Sequence, residues 1–89
     1  MAASLEELRR TGAEFLIADL EMGITFTELA LSSKDQAVIV RNRRNALKAY
    51  DTVSKLAPKS RLNEAESQAV TALLAQLKEK LVLLGEEVA

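Results

Sequence analysis

The chain contains no cysteine, no histidine and no tryptophan. Without cysteine there is no disulfide framework and no thiolate chemistry. Without either cysteine or histidine, transition-metal sites lose their usual ligands, and a base or nucleophile must come from Asp, Glu, Lys, Ser, Thr or Tyr. A di-metal carboxylate site wants Glu-x-x-His on paired helices, and that pattern does not occur. No glycine-rich phosphate loop is present. Pairs such as Glu6-Glu7 and Glu86-Glu87 do not face each other on a helix. The expectation is therefore no enzyme: no catalytic residues, no metal and no cofactor. Proline occurs once and glycine three times, and β-branched alternation is missing, which argues against strands and tight turns. The aromatics are Phe15, Phe26 and Tyr50 alone. A core must then come from Leu, Val, Ile and Ala, which suits helices packed at close range. No stretch has the apolar length that a bilayer span needs. The first ten residues, MAASLEELRR, hold acids and arginines where a signal peptide needs an apolar run. A cytoplasmic location and no membrane partner are the expectations. Twelve basic residues face thirteen acidic ones, a net charge of −1. That balance argues against a general nucleic-acid binder, which carries a strong basic excess.

What is present reads as helix. The 89 residues fit one all-α domain over 1–89, an antiparallel bundle of three main helices at about 4–22, 34–57 and 64–84, with a short extra helix at about 26–31. Ser4 is the expected first N-cap, with Glu6 and Glu7 in the turn where the helix dipole favours acids. Leu5, Leu8, Phe15 and Met22 share one face, and Gly12 lies on it, as if to admit a neighbouring helix. Gly23 is placed to end this helix in the left-handed conformation. Thr25 and Glu28 have capping-box spacing, and Ile24 and Leu29 the spacing of a hydrophobic staple, so a new helix is expected at Phe26. Ser32 or Ser33 would cap the next one. That helix has the longest uninterrupted pattern, about six turns, and Pro58 ends it. Asn63 with Glu66 is a second capping box, opening the last helix. Val70, Leu73, Leu74, Leu77, Leu81 and Leu84 form its apolar stripe. Gly85 closes it, and Glu86 to Ala89 are expected to fray. The expected core combines Leu8, Phe15, Met22, Phe26, Leu29, Ile39, Ala46, Tyr50, Val53, Val70, Leu73, Leu77, Leu81 and Leu84.

On the long helix Ala46, Tyr50, Val53 and Pro58 stand at the spacing of the small, aromatic, small and proline positions of a tetratricopeptide repeat. Phe26, Leu29 and Ala30 look like the start of that repeat's first helix. About a third of the chain thus resembles one tetratricopeptide-type hairpin. The resemblance implies a helical hairpin and a scaffolding role. Departures are the short first helix, the long second one, the missing turn glycine and the single unit where arrays have about three.

Three constellations are candidates for function. Asp19 and Arg43 each fall inside an apolar face, where a lone charge is costly, so they are expected to pair between helices, directly or through Asn42. Arg41, Arg44, Lys48 and Lys55 lie within about 60° of one another and form a cationic ridge. It would suit a polyanion, although no aromatic side chain alternates with the bases to stack on nucleotides. Ile17, Leu20, Val82 and Leu83 are apolar positions off the main stripes. They are the expected surface for a protein partner or for a second copy in a homodimer. An interaction module is the leading reading, and a polyanion binder using the ridge is the alternative.

Overall fold

The computed structural model describes residues 4–88. It is an all-α bundle of three helices: α1 (Leu5–Ser32), α2 (Gln36–Leu56) and α3 (Glu64–Leu83). One turn of 3-10 helix, Ala57–Lys59, carries the chain past Pro58. Gly23 on α1 sits against Ala49 of α2, and only residues 33–35 connect the two helices, so the chain must turn back on itself. The two helices are therefore antiparallel. Ion pairs of Arg9 with Glu66 and of Glu28 with Lys80 show that α3 runs parallel to α1. The principal extents are 48 × 27 × 17 Å. The bundle is a flat slab, so each helix keeps one side that no other helix covers.

The N-caps follow local chemistry. The Ser4 side chain accepts from the Glu7 N–H at 3.1 Å. The Asn63 side chain accepts from the Glu66 N–H at 2.8 Å while the Asn63 N–H donates to Glu66 Oε1 at 2.9 Å, completing the expected capping box. At the end of α3, Gly85 has φ +90°. Its N–H donates to the Val82 carbonyl and that of Glu86 to the Leu81 carbonyl, the paired bonds of a Schellman turn. The cap of α2 differs from expectation. Asp35 takes it, accepting from the Ala37 and Val38 N–H groups, because a carboxylate one residue before the helix reaches two free donors. Ser33 instead accepts from the Asp35 N–H.

The larger departure is α1. No break occurs at Gly23 and no separate helix spans 26–31; α1 is continuous for 28 residues. Gly23 is buried where a Cβ would stand 2.9 Å from Leu77 Cδ2 and 3.0 Å from the Ala49 Cβ. It is a crossing point of three helices, and tertiary contact offsets the helix-propensity cost of about 1 kcal/mol. Thr25 does not cap; its hydroxyl donates to the Glu21 carbonyl within the helix. Gly12, by contrast, has nothing within 4 Å of a would-be Cβ, so it admits no neighbour. Phe26, Leu29 and Ala30 therefore belong to the last turns of α1, and the hairpin turn falls at residues 33–35.

The core is built on a different side of α1 from the one expected. Ala13, Leu16, Leu20, Ile24 and Ala30 are buried, with Ala46, Ala49 and Val53 from α2 and Val70, Leu77 and Leu81 from α3. Thr27 and Asn42 are the buried polar residues, and each is satisfied on its own helix by a backbone carbonyl, that of Ile24 and Val38 respectively. Leu8, Phe15, Met22 and Leu29, expected in the core, are exposed. Small residues decide the matter: Ala13, Gly23, Thr27 and Ala30 allow α2 and α3 to approach, whereas the Phe15 side would hold them apart. Beyond α3, Glu86 and Val88 are held against the bundle, where fraying was expected. Glu86 pairs with Arg43 at 3.0 Å and Val88 packs on the core; Ala89 lies outside the described residues.

Candidate functional site

The outer side of α1 is its most distinctive surface. Leu8, Phe15, Met22 and Leu29 recur every seventh residue with exposures of 58, 57, 55 and 48%. A seven-residue repeat nearly completes two turns, so the four form one row along the helix. Leu5, Gly12, Asp19 and Phe26 form a second row beside it at the alternating three- and four-residue spacing of a coiled-coil seam. On the side towards α2, Phe15, Asp19 and Phe26 meet Asn45, Lys48 and Thr52 in an open groove of about 400 Å³. On the other side, beyond the small residues Thr11, Ala18 and Thr25, stands a row of acids: Glu7, Glu14, Glu21 and Glu28, again every seventh residue and all exposed. The exposed base Arg10 stands on the same flank, one turn from Glu7 and from Glu14; among the described residues Glu28 alone of the four acids forms an ion pair, with Lys80 at 3.9 Å.

The ridge on α2 stands on the groove side of the molecule. Arg41, Arg44, Lys48 and Lys55 are all exposed, and among the described residues none of them forms an ion pair. Arg44, Lys48 and Lys55 line a shallow depression of about 400 Å³ together with Asp51. Across the flat face the order is thus bases on α2, apolar rows on α1, acids on α1.

Asp19 and Arg43 are not brought together. Arg43 lies on the flank of α2 that faces α3, about 140° round the helix from Lys48. There its Nε pairs with Glu86 and its Nη1 donates to the Leu84 carbonyl at 3.2 Å. A cation beside the last carbonyls of α3 is favoured by the helix dipole. Asp19 faces the opposite flank, beside Lys48. Asn42 bridges neither. The four apolar candidates also separate. Leu20 is fully buried and Ile17 packs half-buried against the core, while Val82 and Leu83 are exposed at 54 and 68%. Leu83 lies beyond the level of Glu28, roughly three turns from Ile17. They do not make one surface.

A second cluster, centred on Arg9, has no counterpart in the sequence reading. Its Nε and Nη2 donate to both carboxylate oxygens of Glu6, at 3.0 and 2.7 Å, and its Nη1 donates to Glu66 and to the Arg61 carbonyl. The Arg9 guanidinium holds the carboxyls of Glu6 and Glu66 below their ordinary values, and the Asn63 N–H adds to the effect at Glu66. Those two carboxylates in turn raise Arg9 above its usual value. An open cleft of about 690 Å³ lies beside this cluster, walled by Leu5, Leu8, Gly12 and Ser60 together with Glu6 and Arg9 themselves, which are already paired with each other. The cluster ties the start of α1 to the start of α3. Among the described residues no group of three or more potential metal ligands converges, and no helix is long and apolar enough to cross a membrane.

Compared with protein-family models, curated proteins and solved structures, the chain has no match.

Proposed function

We propose that this chain is a protein–protein interaction module, not an enzyme, and that it docks a helical segment along the outer side of α1. The observation that carries this reading is the row Leu8, Phe15, Met22 and Leu29, each about half exposed on a helix whose opposite side is core. Contiguous exposed apolar surface marks interaction sites, and anchors at helical spacing receive another amphipathic helix. Fully burying one such side chain contributes about 1.5–3 kcal/mol. Four half-exposed anchors and their counterparts on a partner roughly match the cost of association, about 4–15 kcal/mol. Reversible docking follows, rather than permanent assembly.

The test is a displayed library of amphipathic helical peptides selected on the immobilised protein. Selected peptides should lose binding to a Phe15→Glu/Met22→Glu variant that keeps its helical circular dichroism. If every selected peptide binds that variant as well as the unmodified chain, the outer side of α1 is not the docking surface.

The ridge supports a second reading, a polyanion surface, because Arg41, Arg44, Lys48 and Lys55 stand exposed and without ion pairs among the described residues. Binding to heparin at low salt, weakened by neutralising Arg41, Arg44 and Lys48 and with a flattened salt dependence, would support it. No binding at low salt would end it.

A further inference from the structure

We infer that the segment docked on α1 is the α1 of a second copy, running parallel to the first. This rests on reading the outer side of α1 as a docking surface, and it names the occupant from the charge pattern. A two-fold axis laid along the apolar seam keeps each residue at its own height and exchanges left for right. The acids of one copy then stand over the bases of the other. Glu14, Glu21 and Glu28 span the same length of α1 as the groove in which Lys48 lies. Because α2 runs back along α1, Lys55 stands towards the Phe15 end of that groove and Arg41 towards the Phe26 end. The acid row and the base ridge therefore match in height as well as in sign. An antiparallel pair reverses this, setting bases over bases and acids over acids. The small residues Thr11, Ala18 and Thr25 keep the flank between the seam and the acids low, so a second helix can approach closely. In the parallel pair Leu8, Phe15, Met22 and Leu29 each meet their own counterpart, as in a parallel coiled coil. Asp19 meets Asp19 of the second copy near the middle of the seam, and this like-charge contact keeps the pair reversible.

The absence of native cysteine makes the orientation directly readable. Sedimentation equilibrium across a dilution series should show a monomer–dimer equilibrium. Association should weaken about 100-fold in Met22→Glu, since each copy loses a buried anchor. It should tighten about tenfold in Asp19→Asn, and weaken as salt screens the flanking rows. Under mild oxidation a Leu29→Cys chain should link to itself. In an antiparallel pair centred on the seam its two cysteines would stand about 36 Å apart, at 1.5 Å per residue. A monomer at every concentration overturns the inference, and so does a dimer unchanged by Met22→Glu. Cross-linking of Leu5→Cys with Leu29→Cys chains, where neither links to itself, overturns it too. A monomer that still binds selected helical peptides through Phe15 and Met22 leaves the docking surface standing and removes only the second copy. Loss of both removes the docking surface as well.

Discussion

Gly12 and Gly23 lie on the same helix, and alanine at the two positions should move stability in opposite directions. In a helix interior the substitution gains about 1 kcal/mol from propensity alone. At Gly12 the new Cβ meets nothing within 4 Å, so Gly12→Ala should realise that gain. At Gly23 the new Cβ would lie 2.9 Å from Leu77 Cδ2 and 3.0 Å from the Ala49 Cβ. Leu77 is fully buried, so its side chain would have to move within the packed interior. The Ala49 Cβ is fixed to the backbone of α2, so it yields only if that helix shifts. Overpacking a tight site costs about 1–3 kcal/mol, which outweighs the propensity gain and leaves a net loss of about 1 kcal/mol. Urea unfolding at dilute chain concentration measures both. A stabilised Gly23→Ala would mean that the three helices do not cross so closely there.

The start of α3 depends on two separable contributions. Asn63→Ala removes the N-cap and should cost about 1 kcal/mol. Glu66→Gln is more selective, because glutamine at that position still reaches the Asn63 N–H while losing the charge that Arg9 pairs with. The Glu66 carboxyl is held below its ordinary value of 4.5 by the Arg9 hydrogen bond, with the Asn63 N–H adding to it. A group lowered in the folded state contributes stability above its unfolded value and loses it as pH falls through the folded one. Thermal unfolding of the unmodified chain should therefore drop on acidification below about pH 4.5. Glu66→Gln should unfold earlier near neutrality and show a flatter acid limb; identical pH profiles would mean that Arg9 and Glu66 do not pair in solution. The capping box itself was legible in the sequence, as were Ser4, Pro58 and Gly85, because residues within a few positions determine each. The Thr25–Glu28 pattern was equally clear and misleading, since what Gly23 does depends on Ala49 and Leu77, far away along the chain. The choice of inner side failed for the same reason. Leu8, Phe15 and Met22 form as good a stripe as Leu16, Leu20 and Ile24, and only the approach of α2 and α3 to Ala13, Gly23 and Ala30 selects between them. Arg43 was expected to pair with Asp19; its partner is Glu86, from the turn after α3, whose course periodicity does not reveal.

The slab shape gives α1 two apolar sides with opposite duties, and charge placed on each should separate folding from association. Leu20 is fully buried between the helices. Leu20→Glu would bury a carboxylate in the apolar core, a cost of several kcal/mol. Small domains hold about 5–15 kcal/mol in total, so this variant should be largely unfolded or melt far below the parent. Phe15 and Met22 are more than half exposed. Glutamate there meets water and should change stability by about 0.5 kcal/mol or less, while removing the anchors for any helix laid along α1. Circular dichroism with thermal melting reads the first effect, and sedimentation or peptide binding reads the second. The two readouts must diverge. If Phe15→Glu melted as early as Leu20→Glu, α1 would be rotated about its axis in solution, with the Phe15 row inside. If all three variants melted normally and associated normally, neither side of α1 would carry the energy assigned to it. Intact folding with lost association in Phe15→Glu and Met22→Glu is the result that only an outward apolar row can produce, because a core position cannot accept the charge and an idle surface position would not notice it.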